Sequence, residues 1–146
     1  MKLRKPTIPE GAPEGTIWSG GPIEWFSITL RIMGKDLDPD EITQVLGCPP
    51  NAVRVSRHGG WRLTLKPTDT DEWDCGEAML ELLQRLPSDV GIWQALAARL
   101  KIDFFVGLTM ASKNKGFSLS PKVMSYLAER GIEAGFDIYY EPIGDE

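Results

Sequence analysis

The stretch from Trp25 to Gly47 constrains the fold most, because it joins a one-sided strand pattern to a helix marked at both ends. Apolar residues alternate with other residues over 26–33, which is the period of a strand buried on one face. Asp38 and Pro39 predict a helix start, since aspartate caps exposed backbone N–H groups and proline needs no such partner. Gly47 predicts the left-handed turn that ends this helix.

A weaker copy of this unit returns near the C-terminus. A strand pattern over 102–110 precedes Ser120 and Pro121, which predict the start of a second capped helix. Gly131 predicts its end, and a last strand pattern follows over 132–140. The repeat has two explanations: an internal duplication of a βαβ-like unit, or convergent use of the same cap chemistry.

The middle of the chain supplies the remaining elements. Strand patterns over 52–57 and 61–66 flank His58 and two glycines, which suit a tight hairpin. Helical patterns follow over 75–86 and, with Ser88 as the predicted cap, over 90–100. We therefore predict an α+β two-layer sandwich, with an antiparallel or mixed sheet and helices on one face, as a ferredoxin-like variant.

Length and charge limit the domain organisation and the function. The 146 residues predict one domain over 22–146, preceded by a partly flexible Pro- and Gly-rich arm over 1–21. The net charge of −5 disfavours nucleic-acid binding, which relies on attraction to phosphates. Neither a signal peptide nor a membrane-spanning run is recognisable, so we expect a cytoplasmic protein without a membrane partner.

The sequence argues against several chemistries. Cys48 and Cys75 form no CxxC pair, and reduced, partly buried thiols are the expected state. The acidic runs over 36–40 and 69–74 lack the glycine and glutamate spacing of a calcium loop. The single histidine, His58, is interpreted as a turn residue. We expect no metal and no cofactor, and an enzyme is the less favoured interpretation.

Four motifs together resemble a known family. They are GKDLDPDEITQVLG at 34–47, GGW at 59–61, GFSLSP at 116–121 and FDIY at 136–139. The chain is similar over Trp25 to Tyr140 to the bacterial domain-of-unknown-function family numbered 4279. The segment CPPNAVRVSRHGG is shorter here than the family's usual basic loop, so no role of that loop carries over. The resemblance implies a small stand-alone bacterial domain and brings no established activity or catalytic residues.

A candidate binding site follows from the backs of the strands. If helices cover the side bearing Ile28 and Phe136, the opposite side forms an open sheet face with convergent polar groups. The candidate ligand- or partner-binding residues on it are Thr29, Arg31, Arg62, Asp137 and Tyr139.

Two other interpretations of this face stay open. It is an ordinary solvated face with cross-strand ion pairs such as Arg31 to Asp137, or it is covered by the N-terminal arm or by the helices over 75–100.

These features favour a non-enzymatic binding or protein-interaction module, with an immunity protein that neutralises a toxin as one form suggested by analogy. The candidate partners are another protein, a second copy of the chain in a homodimer, or an anionic small ligand. The alternative is a small enzyme in which Arg31 or Arg62 holds an anionic substrate and Asp137 acts as base.

Overall fold

The computed structural model describes residues 25–54, 60–65, 74–110 and 116–141. The predicted N-terminal arm, His58 and the acidic run before Asp74 lie outside these ranges. The described strands are β1 (Trp25–Met33), β2 (Ala52–Arg54), β3 (Gly60–Leu65), β4 (Lys101–Met110) and β5 (Ile132–Tyr140). The described helices are α1 (Pro39–Leu46), α2 (Cys75–Gln84), α3 (Val90–Ala97) and α4 (Pro121–Arg130).

The strands form one mixed sheet in the order β2-β3-β1-β4-β5. β4 and β5 run parallel, and the other neighbouring strands run antiparallel. The elements from β1 to β4 follow the β-α-β-β-α-β succession of a ferredoxin-like fold, with two helices in place of the second one. The crossover through α4 then adds β5 beside β4. The predicted α+β two-layer fold is confirmed.

The core lies between one face of the sheet and the helices. Strands β1 and β4 contribute the central apolar side chains, which are Phe26, Ile28, Leu30, Ile32, Ile102, Phe104, Val106 and Leu108. Two fully buried tryptophans have partners for their indole N–H groups: Trp61 donates to the Thr43 hydroxyl at 3.1 Å, and Trp93 donates to the Pro87 carbonyl at 2.9 Å. A buried indole therefore adds apolar area without an unsatisfied donor.

The predicted ends of the two capped helices are confirmed. The Asp38 carboxylate accepts from the backbone N–H of Asp40 at 3.1 Å, and the Ser120 hydroxyl oxygen accepts from that of Val123 at 3.2 Å. Gly47 and Gly131 both end their helices with a φ of 69°, in the left-handed region that costs glycine least.

The start of α3 differs from the prediction. The cap is Asp89, whose carboxylate accepts from the backbone N–H of Gly91 at 2.9 Å, and Ser88 lies one residue before it. A carboxylate offers the helix N-terminus a hydrogen-bond acceptor and a full negative charge, whereas a hydroxyl offers the acceptor alone.

The two repeated units occupy different positions in the sheet. β1 and β2 lie on either side of β3, whereas β4 and β5 are direct neighbours. The two units thus share local order and cap chemistry but differ in strand placement, and the internal duplication stays a prediction.

Gly131 and Gly47 provide a matched test of how tightly α4 packs. Both have a φ of 69°, but a Cβ at Gly131 would lie 2.7 Å from the Ala97 Cβ, whereas one at Gly47 would meet nothing within 4 Å. Gly47→Ala should cost about 1 kcal/mol of unfolding free energy from backbone strain alone. Gly131→Ala should cost about 1–3 kcal/mol more because α3 and α4 must separate. Urea denaturation measures both, and equal losses would contradict this packing.

Candidate functional site

All five predicted site residues lie on the sheet face that points away from the helices. Thr29 and Arg31 lie on β1, Arg62 on β3, and Asp137 and Tyr139 on β5. Arg31 is aligned with Arg62 on one side and with Asp103 of β4 on the other. The fold thus brings Arg31 and Arg62 into one cross-strand row and leaves Asp137 and Tyr139 at the rim.

Arg31 forms a bidentate ion pair with Asp103. Its Nε donates to Oδ1 at 2.8 Å, and its second terminal nitrogen donates to Oδ2 at 2.6 Å. Asp103 is only 2% exposed. The guanidinium also lies 4.4 Å from the centre of the Phe105 ring, within cation–π range. The hydrogen bonds to Asp103 raise the pKa of Arg31 against the opposing effect of its burial.

The predicted cross-strand pair between Arg31 and Asp137 is therefore wrong. Asp137 is aligned with Gly107, and Gly107 is aligned with Ser27, four residues along β1 from Arg31. Four residues of strand span about 13 Å, well beyond the reach of an ion pair. The alternation of β4 already placed Asp103 on this face, but selecting it as the partner of Arg31 required the β1–β4 register.

A second cross-strand contact joins Thr29 to Thr64. Their hydroxyl oxygens lie 3.0 Å apart and share one hydrogen bond. With Arg31 already held by Asp103, two of the predicted site residues direct their polar groups at neighbouring strands. Such pairs stabilise a sheet and leave these groups less available to a ligand.

Asp137 and Tyr139 form their own pair on β5. The Tyr139 hydroxyl donates to Oδ2 of Asp137 at 2.5 Å. This hydrogen bond, together with the negative charge of Asp137, raises the pKa of Tyr139. Tyr139 remains 53% exposed, so the phenol ring is presented to solvent with its hydroxyl oriented by the carboxylate.

The opposite face of β5 carries a patch that the sequence interpretation missed. We call the four side chains Phe117, Phe136, Ile138 and Tyr140 the β5 patch. They are 42%, 39%, 60% and 50% exposed, respectively. The rings of Phe117 and Phe136 lie 5.4 Å apart between centroids. The end of β5 is therefore apolar on a side where large side chains are normally buried.

Phe136 lies on the helix-covered side of the sheet, as expected, but it stays 39% exposed because α4 is shorter than β5. The ten residues of α4 span about 15 Å, whereas the nine residues of β5 span about 30 Å. The helix therefore covers Ile132, and the strand extends beyond it toward Tyr140. Comparing the two lengths in the sequence could have revealed the uncovered half of the strand.

The described residues support neither a metal site nor Cys75 as a nucleophile. Within 25–54, 60–65, 74–110 and 116–141, no group of three or more His, Cys, Asp or Glu side chains could hold a metal ion. Burial, aided by the charge of Asp74, raises the pKa of the Cys75 thiol to about 12. A thiol with that pKa is almost entirely protonated at neutral pH and is a poor nucleophile. Across the same ranges, no helix is long and apolar enough to cross a membrane.

Removing either partner of the Arg31–Asp103 pair should destabilise the fold. Arg31→Ala should lose about 2–3 kcal/mol of unfolding free energy, because it leaves the buried Asp103 carboxylate without its partner. Asp103→Ala should lose less, because the partly exposed Arg31 guanidinium that remains can still contact water. The double variant should lose less than the sum of the two. Urea denaturation of all four proteins gives the coupling energy.

The exposed pair between Arg99 and Glu41 serves as the control, since both side chains are almost half exposed. Its coupling energy should be about 0.2–1 kcal/mol, as for other surface pairs. Equal coupling in the two pairs would contradict the structural importance of Arg31.

Tyr139 should ionise at higher pH than an ordinary tyrosine, whose pKa is about 10. Ultraviolet absorbance during an alkaline titration measures tyrosinate formation, and Tyr139→Phe identifies the contribution of Tyr139 among the three tyrosines. Asp137→Asn should bring that pKa back toward the ordinary value, because it removes the charged acceptor. An unchanged titration in Asp137→Asn would show that the hydrogen bond does not persist in solution.

Comparison with known families gives a match over most of the chain. The family model described as Domain of unknown function (DUF4279) matches residues 24–141, which is most of the 146-residue chain. No curated protein and no solved structure matches the chain. The motifs at 34–47, 59–61, 116–121 and 136–139 all lie inside the matched range. The resemblance is thereby confirmed, and the chain belongs to the DUF4279 family.

Proposed function

We propose that this domain is a non-enzymatic protein-interaction module and that its docking element is the end of β5. The observation that carries the proposal is the β5 patch, in which Ile138 and Tyr140 are at least half exposed on the strand's apolar face. Contiguous exposed apolar side chains on a folded domain are typical of protein interfaces. Aromatic residues are also enriched at such interfaces.

The edge position of β5 supports the same function. Its backbone pairs with β4 along one side, and no other strand in the described ranges pairs with its opposite side. An exposed sheet edge binds an added strand through backbone hydrogen bonds, while alternate side chains provide specificity. Of the predicted site residues, Asp137 and Tyr139 belong to this element, on its other face.

The open sheet face gives weaker support to an enzyme or an anionic-ligand site. The donors of Arg31 that would hold an anion are directed at Asp103. Asp137, the proposed base, is aligned with Gly107 and lies outside the cross-strand row that contains Arg31. A protein-interaction module does not need a cation and a base that converge on one ligand. An immunity-type protein that binds a toxin is one form of such a module.

Ile138→Lys should abolish partner binding, because it places a charge in the middle of the β5 patch. Met124→Lys is the matched control: Met124 is 51% exposed on α4 and lies outside the β5 patch. Each tagged full-length variant is expressed in cells that naturally make the protein, and the retained proteins are identified by mass spectrometry. Circular dichroism should show that both variants remain folded. Identical retention by the two variants would overturn the proposal.

A further inference from the structure

β5 has the properties of a strand that accepts another strand. It pairs with β4 without interruption over nine residues, from Ile132 opposite Ile102 to Tyr140 opposite Met110. A regular ladder on one side gives the other side an equally regular row of outward-directed backbone groups. The other described edge strand, β2, has only three residues and offers a much shorter ladder.

The end of β5 is also self-complementary. About Ile138, the sequence reads aromatic, acid, isoleucine, phenol and aromatic from Phe136 to Tyr140. In a two-fold interface, each residue meets the residue at the mirrored position of the second copy. An antiparallel pair centred on Ile138 places Phe136 opposite Tyr140 and Asp137 opposite Tyr139. Ile138 then lies opposite itself, so apolar side chains meet one another and the carboxylate meets a hydroxyl.

The hydrogen bond between the Tyr139 hydroxyl and the Asp137 carboxylate shows that these two groups are a compatible donor and acceptor. Within one chain the hydroxyl already donates to the carboxylate at 2.5 Å. Directly opposed residues of antiparallel strands have Cβ atoms about 4.5–5.5 Å apart, which allows the same contact between two chains. The interface can therefore exchange an internal hydrogen bond for an equivalent one across the strands.

Like charges in direct opposition disfavour the registers that are centred one residue to either side of Ile138. A pair centred on Asp137 would place that carboxylate opposite itself and Glu133 opposite Glu141, and like charges in direct opposition are destabilising. A pair centred on Phe136 avoids this repulsion but aligns the exposed Ile138 with Ala134, which is only partly exposed. A pair centred on Tyr139 would also match Ile138 with Tyr140, but it would oppose the carboxylates of Asp137 and Glu141. The Ile138-centred register matches the exposed apolar residues without opposing two like charges.

From these observations we infer that a second copy of this chain docks on β5, forming an antiparallel β5–β5 pair centred on Ile138 and joining two sheets into one. The inference rests on the proposed interaction function and names the partner. It also gives the β5 patch a role in assembly, with Phe136 and Tyr140 packed between the copies.

Disulfide trapping tests the register. The background is full-length Cys48→Ser, because Cys48 is partly exposed, while Cys75 is buried and its thiol pKa is raised to about 12. Ile138→Cys should give a covalent dimer under mild oxidation, since the two thiols lie opposite each other. Phe136→Cys and Tyr140→Cys should each stay monomeric alone on a non-reducing gel and form a heterodimer when mixed. A covalent dimer of Phe136→Cys alone would overturn this register.

Sedimentation equilibrium of the unmodified chain tests the assembly itself. The expected mass over a concentration series approaches twice 16.2 kDa. Ile138→Lys should return the mass to that of one chain, because two lysines would oppose each other, whereas Met124→Lys should leave the dimer intact. A monomeric wild-type chain would overturn the inference. If Ile138→Lys still removed a different bound protein from that monomer, the proposed interaction function would stand and only the second-copy inference would fail.

Discussion

Burial of one face of the central strands β1 and β4 is the constraint on which the other elements depend. Ile28, Leu30, Phe104 and Val106 are completely buried between the sheet and the helices. Burying one such side chain contributes about 1.5–3 kcal/mol, so this layer provides a large part of the force that holds the helices in place. Each helix is attached to the layer by an amphipathic face and oriented by its caps. The described helices therefore occupy one side of the sheet.

The opposite side of the sheet carries polar groups that pair across neighbouring strands. Arg31 and Asp103 form a bidentate pair over Phe105, and Thr29 shares a hydrogen bond with Thr64. Placing Asp103 almost out of solvent is costly unless its charge is matched and its oxygens accept hydrogen bonds. This requirement explains why Arg31, a predicted ligand-binding residue, instead neutralises Asp103 within the sheet.

The β5 patch is exposed because α4 is shorter than β5, the strand that follows it. An α-helix advances about 1.5 Å per residue and a strand about 3.3 Å, so a crossover helix of similar residue count covers only part of the strand that it precedes. At β5 the uncovered part holds Ile138 and Tyr140. The same strand lies at the edge of the described sheet, which combines exposed apolar side chains with an accessible backbone. Both features favour the addition of a strand from another chain.

Local chemistry determined much of this protein from the sequence alone. Strand alternation and helix caps depend on neighbouring residues of the chain, so the sequence alone predicts them. Examples are the alternation on β1 and β4, the caps at Asp38 and Ser120, and Gly131 at the end of α4. The α+β class followed from the order of these elements, and the family followed from the motifs at 34–47, 59–61, 116–121 and 136–139.

The tertiary structure decided which distant residues meet, because the register between strands is set by packing over the whole sheet. It paired Arg31 with Asp103 instead of Asp137 and left the end of β5 uncovered by α4. The sequence alternation assigned Thr29, Arg31 and Asp137 to one side of the sheet. The Arg31–Asp103 ion pair required the strand register, and the apolar patch on the other face of β5 required the relative positions of helix and strand.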